Sequence, residues 1–149
     1  VIPVIKINKK VEYSMIALKY IASQKSDELT SAREICDRFK TPFDTTAKVL
    51  QIMNNKGLLN STKGIKGGYS LARPLSQITF TELNGMIEGK TEFTSFCEST
   101  KGLCDLYQIC NIVTPVDTLN RKINSFLGEL TLDELLLTQD QFVTQTENA

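Results

Sequence analysis

Cys97, Cys104 and Cys110 fall in one short polar stretch, FCESTKGLCDLYQIC, with the spacing C-x6-C-x5-C. Thiolates are soft donors that suit iron–sulfur clusters, zinc or copper(I). The paired C-x-x-C spacing of structural zinc sites is absent. The chain contains no histidine, so a fourth ligand would be Cys36, a carboxylate, a backbone group, water or a small thiol. Cys36 is expected inside a helix and against the core, where a cysteine behaves as a small apolar residue. The alternative to a metal is direct oxidation of the three thiols. Without histidine the commonest general base is missing, and no nucleophile motif or nucleotide loop is present, so an enzyme is not expected.

These cysteines sit in the acidic half of a chain whose net charge is zero. Residues 1–75 carry 13 Lys and Arg against 6 Asp and Glu, while residues 76–149 carry 4 against 11. A basic half joined to an acidic half points to a polyanion-binding module attached to something else. A hydrophobic fraction of 41% is enough for a packed core. No apolar run is long enough to cross a bilayer, and VIPVIKINKK is too short in apolar residues for a secretory leader. A cytoplasmic protein with no membrane partner is expected, a setting in which clustered cysteines are reduced thiols or ligands rather than disulfides.

The elements that would carry these charges follow from periodicity and caps. Val11, Met15, Leu18 and Ala22 form an apolar stripe on a first helix, 9–22. Ser31 and Glu34 have capping-box spacing for a second, 32–39. For a third, Thr41 is expected to cap, Pro42 to take the first helical position and Asp44 to lie in the first turn, with Gly57 as the stop. Strand-like runs at 58–63 and 69–73 flank a turn rich in glycine. This order makes the fold class mainly α: a winged helix-turn-helix of three helices plus a β-hairpin wing.

In such a unit the third helix reads the major groove. Asp44, Thr45, Lys48 and Gln51 are expected on its outer face, with Val49, Leu50, Ile52 and Met53 inward. Lys63, Lys66 and Gly67 are expected to form a basic wing contact, with Lys6 at the basic start of the chain as a further DNA-binding residue. Beyond the wing, Thr79 and Glu82 begin a helix with Phe80, Leu83, Met86 and Ile87 on one face, ended by Gly89. A long helix, 114–130, is signalled by Thr114, Pro115 and Asp117. Its stripe of Val116, Leu119, Ile123, Phe126, Leu127 and Leu130 is expected to pair two copies of the chain about a two-fold axis, so that a dimer meets a pseudo-palindromic operator in double-stranded DNA. Thr131 and Glu134 begin a short last helix, and the polar residues 139–149 are expected to fray.

The wing block G-x-x-GGY-x-L-A-R-P, here Gly64, Gly67, Gly68, Tyr69, Leu71, Ala72, Arg73 and Pro74, is followed by I-T-x-x-E-L-x-x-x-I-E-G from Ile78 to Gly89. Together they resemble the Rrf-two family of bacterial transcription regulators, and the similarity runs from KINKKVEYSMIAL to TLDELL. The resemblance implies a winged helix at 5–75, a post-wing helix and cysteine segment at 76–113 and a dimerisation helix with a short C-terminal helix at 114–138. Cluster-binding members hold three cysteines between the post-wing and dimerisation helices, where Cys97, Cys104 and Cys110 stand. The first gap here is one residue longer than the family pattern. Some members add a histidine after the third cysteine, where this chain has Val113. Others complete the site with an acidic residue near the start of the other chain, which the alignment of KINKKVEY places at Glu12. The resemblance therefore implies an iron–sulfur cluster, 2Fe–2S or 4Fe–4S, held by Cys97, Cys104, Cys110 and Glu12 of the partner subunit. It also implies a homodimeric regulator of transcription that senses redox, nitric oxide or iron status. The alternatives are the same regulator acting through thiol oxidation alone, or a winged-helix module that binds protein.

Overall fold

The computed structural model describes residues 7–89 and 104–138. Helix α1 spans Lys9–Ser23, with the Asn8 side chain accepting the Lys10 N–H at its start. Helix α2 spans Ala32–Phe39. The Ser31 hydroxyl accepts the Glu34 N–H at 3.2 Å, as the capping-box spacing predicts. The Glu34 carboxylate does not complete the box. It accepts the Tyr20 hydroxyl at 2.6 Å, so α2 is tied to α1 instead. That hydrogen bond holds the Tyr20 phenol above its ordinary pKa.

Helix α3 spans Phe43–Asn55 and begins with Pro42 as its N-cap, without a side-chain cap. The expected Thr41 cap is not formed. Thr41 lies in the turn between α2 and α3, donates to Cys36 Sγ at 3.6 Å and accepts from the buried Thr46 hydroxyl at 2.9 Å. Its hydroxyl is used up in joining the two helices. The end of α3 follows from Gly57, whose φ of +79° suits a residue without Cβ. Leu58 N–H donates to Met53 O at 2.9 Å and Gly57 N–H to Asn54 O at 3.1 Å, the paired bonds of a Schellman stop.

Strands β1 (Leu59–Thr62) and β2 (Gly68–Leu71) pair antiparallel, with Leu59 opposite Leu71 and Thr62 opposite Gly68. Thr30 adds a bridge on the far edge of β2, exchanging both backbone hydrogen bonds with Tyr69 at 3.0 and 2.8 Å. A short 3-10 turn (Leu75–Gln77) leads to α4 (Phe80–Glu88), capped by Thr79 and stopped by Gly89 at φ +75°. Here too the Glu82 carboxylate leaves its capping box. It takes the Arg73 guanidinium at 2.6 Å, which ties the end of the wing to α4 and raises the Arg73 pKa.

Helix α5 spans Val113–Glu129, so it starts earlier than Thr114 and Pro115 suggest. Both residues sit inside the first turn, where a proline is tolerated because its missing N–H has no helical partner to lose. Helix α6 spans Leu132–Leu136. Thr131 does not cap it: its hydroxyl donates to Asp133 instead. The junction between α5 and α6 is fastened to the segment entering α4. Phe80 N–H donates to Leu130 O at 2.9 Å and Leu132 N–H to Ile78 O at 2.8 Å. One buried apolar cluster runs from Val11, Leu18 and Ile35 through Leu50 and Leu59 to Ile78, Leu83, Leu127 and Leu132. The C-terminal helices thus share the core of the winged domain. Among the described residues, no helix is long and apolar enough to cross a membrane.

Candidate nucleic-acid interface and cysteine segment

Along α3 the buried face is Thr46, Val49, Leu50 and Met53, leaving Asp44, Lys48 and Gln51 exposed and Thr45 half-buried. Ile52, expected inward, is only half-buried. It lines a groove of about 240 Å³ with Lys10, Asp44, Thr45 and Lys48, because α1 crosses beside the first turns of α3. Lys10 is a cation at this face that no local pattern reveals, since its neighbourhood depends on the α1–α3 packing. A second groove, of about 440 Å³, separates α3 from the wing. Gln51 and Lys63 line it, and so do Asn54, Asn55 and Ser61, which the sequence reading overlooked. Amides and hydroxyls beside a lysine offer donors to phosphates and base edges. Only tertiary placement distinguishes these small polar residues from ordinary surface.

The wing glycines have reasons internal to the fold. A Cβ on Gly68 would come within 2.8 Å of the Thr30 backbone, and one on Gly67 within 2.2 Å of Thr62 O. Gly64 has φ +120° and open space around it. Lys63, just before that turn, and Lys66, within it, are both exposed. Lys6 lies outside the described residues.

Cys104 is exposed and Cys110 half-buried, and both are free thiols. They belong to a run of turns, with Tyr107 N–H donating to Cys104 O and Ile109 N–H to Leu106 O, that leads directly into α5. Cys97 lies outside the described residues. Cys36, half-buried in α2, accepts a hydrogen bond from Thr41 of the following turn. Glu12 stands in the first turn of α1, where its carboxylate accepts from Lys9 Nζ at 2.8 Å. That hydrogen bond raises the Lys9 pKa. No group of three or more metal-ligating side chains occurs among the described residues.

Comparison with known proteins places this geometry in context. The profile of the family Rrf2, described as "Iron-dependent Transcriptional regulator", matches residues 7–138. The regulator NsrR of Shouchella clausii is 24% identical over 129 residues, 87% of this chain and 87% of its own. The regulator IscR of Xenorhabdus nematophila is 24% identical over 135 residues, 91% of this chain and 81% of its own. Among solved structures, CymR, the global cysteine regulator of B. subtilis, superposes with a TM-score of 0.70 at 20% identity, covering 91% of this chain and 99% of its own. That likeness supports the winged-helix fold, as the helix order and the two-stranded hairpin do. With the family profile spanning nearly the whole chain, the protein belongs to the Rrf2 family of DNA-binding transcription regulators and is not an enzyme.

Proposed function

We propose that this chain is a cytoplasmic, homodimeric regulator whose grip on a pseudo-palindromic operator depends on an iron–sulfur centre held by its cysteines. The observation that carries this reading is the continuity of the cysteine segment with the reading head. Cys104 and Cys110 lead straight into α5, and the far end of α5 is hydrogen-bonded to the segment that leaves the wing. Tension or slack at the thiols is thereby communicated to a helix that shares the winged domain's core.

The donors fit such a centre by chemistry. Two free thiols, one exposed and one half-buried, lie on one irregular segment and supply soft ligands. Cys97, Cys104 and Cys110 would hold the group, with Glu12 of the partner subunit as the fourth ligand. When bound, a cluster supplies a centre whose oxidation state and integrity respond to oxygen, nitric oxide or iron supply. The residues do the rest. To ligate, Glu12 would give up the exposed Lys9 ammonium, a small loss because surface ion pairs contribute little. Ligated in this way, Cys104 and Cys110 would be fixed just ahead of α5, and α5 would set the separation of the two reading heads. Only a difference in operator affinity between the two states constitutes regulation.

Dimerisation is supported by the apolar face of α5. Ile112, Leu119 and Phe126 recur at seven-residue intervals and are 54%, 59% and 63% exposed in the single chain. The exposure of Cys104 supports a second reading, in which the thiols are oxidised directly. Anaerobic purification with absorbance, iron and sulfide assays decides between them. The cluster reading expects a coloured protein with iron and sulfide in stoichiometric amounts, lost on Cys104→Ser. A colourless, iron-free product from anaerobic cells contradicts it.

A further inference from the structure

Ile65 is fully exposed at the tip of the wing, at 107% of its reference area, more than any other large apolar residue described. A lone exposed isoleucine is ordinary on a protein surface. Two observations set this one apart. The first is that its position is enforced. Gly67 N–H donates to Gly64 O at 3.0 Å, closing a four-residue turn whose central pair is Ile65 and Lys66. Gly64 at φ +120° and the absence of room for a Cβ on Gly67 fix that turn, so the isoleucine is held out from the hairpin. The second is its setting. From Leu59 to Leu71 the only charged residues are Lys63 and Lys66. An apolar side chain between two cations, with no carboxylate nearby in the hairpin, complements a polyanion with an apolar interior. A DNA minor groove is such a surface, with phosphates at its rims and sugars and base edges within.

We propose that Ile65 is a minor-groove wedge that bends the operator. Lys63 and Lys66 engage phosphates on the two rims while the isoleucine enters the groove and partly unstacks one base step. Wedges of this kind kink the duplex toward the major groove. Unstacking is easiest at pyrimidine–purine steps, so Ile65 confers a sequence preference where no hydrogen bond reads a base. In the proposed dimer two wedges act at the two flanks of the operator. The inference rests on the wing contacting DNA, and the experiment separates the two.

The full-length dimer is titrated against a short end-labelled duplex recovered by the protein from a random-sequence pool, with bending read as end-to-end energy transfer. Ile65→Ser is expected to weaken binding about five- to tenfold, by the loss of one buried aliphatic side chain, and to straighten the duplex. It leaves the dependence of affinity on salt unchanged, because no charge is removed. Ile65→Leu retains both affinity and bend. Lys63→Ala lowers the salt slope by about two, one phosphate contact for each protomer of the dimer. Replacing a flanking TA step with GC weakens the wild type and not Ile65→Ser. Wild-type affinity and bend in Ile65→Ser, alongside a reduced salt slope in Lys63→Ala, overturn the wedge and leave the wing on DNA. No change in either variant removes the wing contact and the wedge together. Folding is not at issue, since Ile65 buries no surface within the chain, and thermal unfolding of Ile65→Ser checks this.

Discussion

Gly67 and Gly68 show how one pair of residues can be read in two ways. Gly67 was expected in the basic wing contact, and within the fold the space a side chain would need at Gly67 and Gly68 is already occupied by Thr62 O and the Thr30 backbone. Gly68→Ala is therefore expected to lower folding stability by about 1–3 kcal/mol, as an overpacked site does, even with no DNA present. Denaturant unfolding of the free protein measures this, and a variant as stable as the wild type would show that the Thr30–Tyr69 bridge yields. The same scale separates the cysteines. All three described cysteines are free thiols, but Cys36 lies in α2 and accepts a hydrogen bond from Thr41, whereas Cys104 and Cys110 stand on an irregular segment. Residue type alone could single out the clustered cysteines, because spacing is visible in a sequence. The places of Lys10, Asn54 and Ser61 beside the α3 grooves were hidden, because each depends on which elements pack together.

At the scale of elements, helix existence was legible and helix starts were less so. Ser31 and Thr79 cap as their spacing predicts. Thr41, Thr114 and Thr131 have similar local sequence and do not, because tertiary or neighbouring partners claim their hydroxyls or because the helix begins earlier. The capping boxes at Ser31–Glu34 and Thr79–Glu82 are half-made, and for one reason: the N3 glutamate is engaged by a partner on another element. Glu34 goes to Tyr20 and Glu82 to Arg73. The arginine of the wing block and the glutamate of the following helix thus form one device joining wing to α4. Both side chains are 35% exposed, so the pair is screened by solvent and its coupling is small. A double-mutant cycle with Arg73→Met and Glu82→Gln is expected to give a small favourable coupling, because the guanidinium meets both carboxylate oxygens. A coupling of zero would mean that the wing is not braced by this contact.

For the whole molecule, the decisive feature is that α5 faces two ways. Leu127 is buried in the chain's own core, while Leu119 and Phe126 remain exposed on the same helix. The sequence stripe ran through all of these residues and could not divide them, since periodicity records apolarity without saying what covers it. Phe126→Glu is expected to leave the single chain folded and to shift a dimer to monomer, read by light scattering, with loss of operator binding in parallel. A dimer unaffected by that charge would place the interface elsewhere. The charge division between the two halves of the sequence reappears as a basic reading head and wing joined through one core to the helix that follows the cysteines.

The most direct measurement is the affinity of the anaerobically purified dimer for its selected operator, before and after removal of iron by chelation and oxidation. It is carried out in parallel on a protein with Cys97, Cys104 and Cys110 all changed to serine. A difference of at least about tenfold, equal to roughly 1.4 kcal/mol, is expected between the two forms of the native protein, with the serine variant fixed at the iron-free value under every condition. Equal affinity in both forms, or a serine variant that still responds to the treatment, contradicts coupling between the thiols and the DNA-reading heads.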